Sequence, residues 1–271
     1  MGPTFLSDAF KFAFEQPRLR IEAYPGNHWL ILRIPVHRRA SQDSISRTIG
    51  DPHMQRGFGV EIPQTLDELC DPQRLALLVY DMQVGILHQI AQSKRLIARV
   101  SQVLNAAREA GVRVFFTRHM SLPNEVSGVT QLRTRMAWQR VTDVANVKSS
   151  FPAGSPQFQL VPELTPLANE AVIDKITMSA FVGTPLDIAM RDCGISVFAI
   201  VGVAMEVGIE PTVRHAADLG YIPVVVADAC GAGNQEAAER SVASLKYAGD
   251  AVFTHTDSLC AALAKSKRAI A

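Results

Sequence analysis

The chain has 271 residues, of which 48% are hydrophobic, and its formal net charge at pH 7 is +1. A nearly neutral charge gives no electrostatic reason to expect binding to nucleic acid or to an anionic membrane. No run of about 18 apolar residues occurs and no signal-peptide pattern begins the chain, so we expect no membrane span. The four cysteines lack C-x-x-C spacing, which favours a reduced protein of the cytoplasm.

Residues 1–60 differ in pattern from the rest of the chain. Their one apolar run, residues 29–36, is interrupted by a charge and a proline, and no second strand or helix pattern is present to pair with it. The pattern predicts a poorly ordered N-terminal extension, with Met54 as a candidate for the true start. The alternative is an arm that packs on a partner subunit. Residues 61–271 then form a single predicted domain.

From residue 63 onward, apolar runs typical of buried strands alternate with segments of helical spacing. The predicted strands are 75–80, 112–117, 171–174, 197–201, 222–227 and 251–254. The predicted helices are 86–110, 185–193, 210–219, 235–247 and 258–267, after a helical turn at 65–70. Repeated alternation of strand and helix indicates right-handed βαβ units. The predicted fold class is therefore α/β, a Rossmann-like three-layer α/β/α arrangement with a six-stranded, mostly parallel sheet.

Ligands of such sheets bind beyond the carboxyl ends of the strands, where the strand order reverses. Asp81 and Gly202 each lie just past the end of an apolar run. The turn from strand to helix after Gly202 leaves unpaired N–H groups at the positive end of a helix dipole, which favours negative charge. The long polar connection 118–168, with one amphipathic piece near 132–141, is also expected to be functional.

Two ionisable residues at strand ends are the main candidates for chemistry. Asp81 is expected to be partly buried, and a buried carboxylate needs a partner, which Lys175 can supply. The alternatives are a helix N-cap for Asp81 and a solvated strand end for Lys175.

Three motifs, taken together, resemble the isochorismatase-like hydrolase family from about Ile62 to the C-terminus. They are Asp-Met-Gln at residue 81, Lys175 followed by Ser-Ala-Phe, and Gly-Val-Ala-x-x-x-Gly from Gly202 followed by Thr-x-Arg-x-Ala. The resemblance implies a strand order of 3-2-1-4-5-6, which places Asp81 two strand spacings, roughly 10 Å, from the backbone of Lys175. It also implies a site built on the family's Asp–Lys–Cys triad, at Asp81, Lys175 and Gly208, in which Lys175 holds Asp81 in place and stabilises a developing anion.

Gly208 stands where most of the family has its nucleophilic cysteine, and glycine has no nucleophilic side chain. The true isochorismatases resemble this sequence in carrying glycine there. The resemblance implies that Asp81 protonates a vinyl ether, that water attacks the resulting oxocarbenium ion, and that the glycine leaves room for substrate or water. The alternatives are direct attack of water on a C–N bond, as in an amidase, or a non-catalytic oligomeric relative. A homodimer or homotetramer acting on a small molecule is the expected assembly.

Further site residues surround this centre. Glu206 is a candidate base that orients water, although a first-turn helix acid is the commoner use of such a residue. The resemblance implies a cis Val203–Ala204 peptide that directs N–H groups at the substrate. Arg118 and His119 are equal candidates for contact with the substrate. The expected substrate-binding residues are Gln83, Arg118, His119, Phe151, Phe181, Val203, Ala204 and Met205.

We expect neither a metal nor another cofactor. The resemblance extends to nicotinamidases, but their metal-binding Asp-x-His pattern is missing after His119. Cys230 follows a predicted strand other than the one that leads to Gly208. It is therefore interpreted as a buried structural thiol and not as a substitute nucleophile.

Overall fold

The computed structural model describes residues 54–270, with side chains described as far as residue 266. The predicted extension therefore lies, for residues 1–53, outside the described residues. Its last part belongs to a hairpin that the sequence pattern does not predict. In this hairpin β1 (Gln55–Gly57) pairs with β2 (Val60–Ile62) in antiparallel register. Within the described range, no helix is long and apolar enough to cross a membrane.

The remaining strands form one sheet with helices between them. The strands are β3 (Leu75–Tyr80), β4 (Arg113–His119), β5 (Ala171–Lys175), β6 (Val197–Val203), β7 (Ile222–Gly231) and β8 (Val252–Thr254). The helices are α1 (Leu66–Leu69), α2 (Val84–Leu87), α3 (Ser93–Glu109), α4 (Val129–Gln139), α5 (Leu186–Asp192), α6 (Glu210–Asp218), α7 (Gln235–Ala248) and α8 (Thr256–Ile270). Every residue of β3 is buried, as expected for a strand that is covered on both faces.

All neighbouring strands of the sheet are parallel, and their spatial order is β5-β4-β3-β6-β7-β8. In chain order this is 3-2-1-4-5-6, so the predicted fold class and strand order are confirmed. Alternate residues of β3 enter two buried apolar clusters, for example Val79 in one and Leu78 in the other. Because β3 and β6 lie side by side where the order reverses, the ligand crevice is expected beyond their carboxyl ends.

The long helix predicted at 86–110 is two helices, α2 and α3. Gln92, immediately before α3, has a left-handed backbone with φ of +57°. A residue in that conformation cannot continue an α-helix, so the chain changes direction there. The apolar spacing continues across the break because Leu87, Ile90 and Leu96 all enter the same buried cluster.

The turn after β6 also differs from the prediction. The strand continues to Val203, and a π-helical segment, Met205–Ile209, precedes α6. Gly202 has φ of +128°, and a Cβ there would lie within 2.9 Å of the Tyr80 backbone, which no side chain tolerates. β7 extends past the predicted end, with a shift of register against β6 between Ile200 and Gly202.

Candidate active site

A buried ion pair joins the ends of two strands that are not neighbours in the sheet. Asp81 follows β3 and Lys175 ends β5, with β4 between them. Lys175 Nζ lies 2.7 Å from Oδ2 of Asp81, and 0% and 6% of the two side chains are exposed. The predicted contact between these residues is therefore confirmed. Each charge compensates the cost of burying the other.

The ion pair is fixed by neighbouring hydrogen bonds. Thr117 of β4 donates its hydroxyl to Oδ1 of Asp81 at 2.7 Å. Lys175 Nζ donates to Asp81, to the Tyr80 hydroxyl at 2.8 Å and to the Thr177 carbonyl at 3.1 Å. Burial lowers the pKa of Lys175, although Asp81 acts in the opposite direction. All three protons of the ammonium thus have acceptors within the protein.

The space beside Gly208 is filled by Tyr80. A Cβ on Gly208 would lie 2.5 Å from Cε1 and Cζ of that ring, and closer still to its hydroxyl oxygen. The hydroxyl donates to the Met178 carbonyl and accepts from Lys175. Burial, and then the charge of Asp81, raise the pKa of Tyr80 well above its ordinary value, so the phenol stays protonated. The position that a side chain of residue 208 would take is therefore occupied by the Tyr80 ring, although Gly208 itself lines the cavity described below.

Glu206 lies in the π-helical segment with one carboxylate oxygen anchored. Its Oε1 accepts the Asn234 N–H at 2.6 Å, whereas its Oε2 is buried without a hydrogen-bond partner among the described residues. The neighbouring Val203–Ala204 peptide is cis, as the sequence resemblance implied. The unpartnered oxygen leaves Glu206 able to accept a hydrogen bond from water or from a polar group of a ligand.

A cavity of about 520 Å³ opens beside these groups. The predicted site residues that line it are Asp81, His119, Phe151, Val203, Ala204, Glu206 and Gly208. Lys175 does not line the cavity, but it donates hydrogen bonds to Asp81 and Tyr80, which do. Burial lowers the pKa of His119 to about 4, so its ring is neutral at neutral pH. Apolar walls with a few polar groups are typical of small-molecule sites.

Gln83 and Arg118, which were expected to bind substrate, lie outside the lining of this cavity. Gln83 is fully buried, and its amide binds the backbone of His119 and the Phe158 carbonyl. Arg118 forms two hydrogen bonds with Asp174, at 2.7 and 3.0 Å, and its guanidinium covers the Phe158 ring. Both side chains therefore have structural partners in place of a ligand.

Phe181 and Met205 were also expected to contact substrate, but the structure buries both elsewhere. Phe181 stacks on Tyr221 in the core, with ring centroids 5.6 Å apart. Met205 lines a second groove of about 790 Å³, together with Cys230, and Gln89 and Gly233 line both this groove and the site cavity. That groove is the larger of the two cavities, but neither member of the ion pair lines it. Burial strongly raises the pKa of Cys230, in keeping with a structural thiol.

Sequence reasoning missed Arg135, a buried cation on α4. Only 7% of this residue is exposed, and it lines a cavity of about 400 Å³. Its hydrogen bonds go to the neutral Asn124 side chain at 2.8 Å and the Leu122 carbonyl at 3.0 Å, with no acidic partner in the described part of the chain. Oε1 of Gln131, in the same lining, is buried without a partner. A buried charge without a counter-ion is costly, which makes this cavity a candidate anion site.

The two cavities adjoin. Five residues line both of them: His119, Trp138, Ser150, Phe151 and Met178. One ligand is therefore able to contact the groups of both, provided that it extends past this shared wall. The amphipathic spacing near residues 132–141 predicted a helix where α4 lies. It did not predict the burial of Arg135, because a polar residue on such a helix is normally expected to face solvent.

A protein-family model described as the isochorismatase domain matches residues 75–257. The match covers more than half of the chain and includes Asp81, Lys175 and Gly208.

Solved structures with similar folds carry related descriptions. A cysteine hydrolase from Pseudomonas syringae pv. phaseolicola 1448A is 21% identical with a TM-score of 0.62, covering 72% of this chain and 94% of that one. An isochorismatase family protein from Desulfovibrio vulgaris subsp. vulgaris str. Hildenborough is 24% identical with a TM-score of 0.60, covering 70% and 98%. N-carbamoylsarcosine amidase from Thermoplasma acidophilum is 21% identical with a TM-score of 0.56, covering 68% and 97%. At these identities the likeness shows the fold alone.

Proposed function

Because this chain belongs to the isochorismatase family of hydrolases, we propose that it hydrolyses a small carboxylated vinyl ether of the isochorismate type, without a metal ion or a covalent intermediate. The observation that carries this proposal is the occupied space beside Gly208. Where cysteine hydrolases have a thiolate, this chain has a backbone carbon and a protonated phenol. The chemistry then depends on acids, bases and water and not on a nucleophilic side chain.

Asp81 is the proposed acid. It transfers a proton to the terminal vinyl carbon, and the adjacent ether carbon becomes an oxocarbenium ion. Water adds to that carbon and loses a proton, and the hemiketal then breaks its C–O bond to give pyruvate and an alcohol. The proton comes from the Asp81–Lys175 pair, in which Nζ lies 2.7 Å from Oδ2 and burial lowers the pKa of the lysine. The proton that the attacking water releases balances the one transferred to the vinyl carbon.

Glu206 is the proposed base that accepts the proton from the attacking water. Its Oε1 is held by the Asn234 N–H, which fixes the carboxylate, and its Oε2 has no protein partner. General bases act from within hydrogen-bond distance of the water that they activate. The neutral ring of His119 lines the same cavity and is a second group able to orient that water.

Arg135 is the proposed anchor of a substrate carboxylate, the role first considered for Arg118. Arg118 is already neutralised by Asp174, whereas the buried Arg135 has no acidic partner in the described range. A guanidinium matches the geometry of a carboxylate with two parallel hydrogen bonds. Because its cavity adjoins that of Asp81, one substrate is proposed to span both.

Hydrolysis of a C–N bond by direct attack of water is the second candidate. It is supported by the fold shared with N-carbamoylsarcosine amidase, whose name states its amide substrate. A non-catalytic role is disfavoured, because the buried Asp81–Lys175 pair is costly to maintain without use.

Activity assays with isochorismate and a panel of small amides test these candidates. We expect turnover of the vinyl ether and a loss of about 1,000-fold or more in kcat for Asp81→Asn, since the amide cannot transfer the proton. Asp174→Asn is the matched control, because that carboxylate lies on β5 next to Lys175 but pairs with Arg118 outside the cavity. Full activity of a folded Asp81→Asn variant would overturn the mechanism. Turnover of amides alone would support the second candidate, and no turnover of either class a non-catalytic role.

A further inference from the structure

We propose that Tyr80 and Gly208 form a matched pair, in which the tyrosine hydroxyl takes the place of a nucleophilic side chain and Tyr80 is a positioning residue for Lys175. The effect on hydrolysis rests on the proposed function. The pairing and the contact with Lys175 rest on the geometry of the described residues, and they are testable without a substrate.

The steric half of the inference follows from the position of the ring. Any side chain at residue 208 would begin within 2.5 Å of Cε1 and Cζ of Tyr80, a separation that real Cβ atoms essentially never show. Tyr80 is 1% exposed, and its hydroxyl is bound to the Met178 carbonyl and to Lys175, so a shift of the ring towards the cavity that it lines would break both hydrogen bonds. A large ring at residue 80 therefore requires glycine at residue 208. A smaller residue at 80 would remove the conflict.

The positioning half follows from the surroundings of Lys175. Nζ donates to the Tyr80 hydroxyl at 2.8 Å and lies 4.3 Å from the centre of that ring, so hydroxyl and ring both stabilise the ammonium. The hydroxyl donates its own proton to the Met178 carbonyl, which directs its lone pairs towards the lysine. A cysteine hydrolase would place a thiolate beside this lysine. In this chain the neutral hydroxyl of Tyr80 takes that place.

The chemical consequence is a restriction on the type of reaction. A neutral phenol whose hydroxyl is bound on both sides is a poor nucleophile, and it blocks a thiol from the same position. The pair therefore commits the site to attack by water. In hydrolysis, Tyr80 acts through Lys175, whose Nζ holds the carboxylate of Asp81 at 2.7 Å.

The steric half is tested by a double-mutant cycle on thermal unfolding. Gly208→Ala adds only the conflicting Cβ, and we expect it to lower Tm by about 5 °C or more, as overpacking does in a domain of this size. In a chain that carries Tyr80→Val, the same Gly208→Ala substitution should lower Tm by less than half as much. Gly231→Ala is the control, since its Cβ would instead lie 2.6 Å from Cδ2 of Leu96, and Tyr80→Val should not relieve that conflict.

A Gly208→Ala variant that fails to fold until Tyr80→Val is added also supports the pair. Additive effects of the two substitutions would overturn it. So would a Gly208→Ala variant as stable as the unmodified chain.

The positioning half is tested with Tyr80→Phe, which keeps the ring and removes the hydroxyl. The ammonium then loses an acceptor, so the pKa of Lys175 falls further and the charged lysine becomes costlier to bury. The titratable groups around it are Asp81 and Tyr80 from β3 and His119 from β4, and His119 stays neutral between pH 7 and 10. We expect the Tm deficit of Tyr80→Phe to be about 3 °C larger at pH 7 than at pH 10.

An equal deficit at both pH values would mean that the hydroxyl only fills space and binds Met178, and would overturn the positioning role. If isochorismate is hydrolysed, kcat of Tyr80→Phe should fall about tenfold with less than a threefold change in KM. Failure of the proposed function would appear as no turnover by the unmodified chain. The two stability measurements would still decide whether the pair and its contact with Lys175 exist.

Discussion

Asp81 has a left-handed backbone, with φ of +50°, in a position where most residues are extended. This conformation costs about 1 kcal/mol or more for a residue with a side chain, although aspartate tolerates it better than most. It is held by Thr117, whose hydroxyl and carbonyl both accept the Asp81 N–H at 3.2 Å. Such a residue persists only where its surroundings define it closely, as they do at the proposed acid of this site.

The pKa of His119 predicts how stability depends on pH. Burial lowers its pKa to about 4 in the folded chain, from an ordinary value of 6.5. As the pH falls below 6.5 the unfolded chain takes up the proton first, so stability is lost down to about pH 4. The loss is up to about 3 kcal/mol. His119→Gln does not titrate, so the difference in unfolding free energy between the two proteins should change across this range. A constant difference between pH 7 and 4 would contradict the shift.

Residue position and the three motifs together predicted the contact between Asp81 and Lys175 but not their neighbours. Asp81 and Lys175 follow apolar runs, and that information is local. The choice between Arg118 and His119 depends on register, which pairs Arg118 with Asp174 and His119 with Lys175. No sequence pattern specifies that register. Tyr80 was missed because an aromatic residue in an apolar strand is usually core, and its contact with Gly208 spans 128 positions.

The element that most extends the site is α4, within the long connection that was expected to be functional. Its Arg135 points away from the polar surface that the helical spacing suggested and is 7% exposed. Two groups fix it, the side chain of Asn124 and the Leu122 carbonyl, both from the same connection. The connection therefore builds a cationic site of its own beside the ends of β4 and β5.

Substitution of Arg135 separates binding from stability. With Arg135→Met we expect KM for a carboxylated vinyl ether to rise about tenfold or more, since the charged hydrogen bonds are lost. Its Tm should stay within about 3 °C of the unmodified value or rise, because the change removes an unpaired buried charge. Steady-state kinetics and thermal melts measure the two effects, with Arg118→Met as the control outside the cavity. A large fall in Tm with KM unchanged would identify Arg135 as a structural residue.

At the scale of the whole molecule, local patterns predicted the sheet well. Six apolar runs separated by helical spacing give parallel βαβ units, and right-handed connections leave few strand orders to choose from. The deviations are irregular pieces whose cause is tertiary. The extension of β7 accompanies its shifted pairing with β6, and the π-helical segment follows Gly202, which lies against the Tyr80 backbone of the neighbouring strand. The Gln55–Ile62 hairpin carries no long apolar run that would have revealed it.

The last prediction concerns the part of the chain before Met54. Residues 69–263 contribute the members of both buried apolar clusters, and the sheet lies within the same range. We therefore expect a chain that begins at Met54 to fold, with a Tm within about 8 °C of the full chain, or roughly 2–4 kcal/mol in a domain of this size. Leu75→Ala provides the scale of a true core loss, since this buried β3 side chain should cost about 2–5 kcal/mol. A shortened chain whose Tm falls by more than about 8 °C would show that the removed residues pack on the domain.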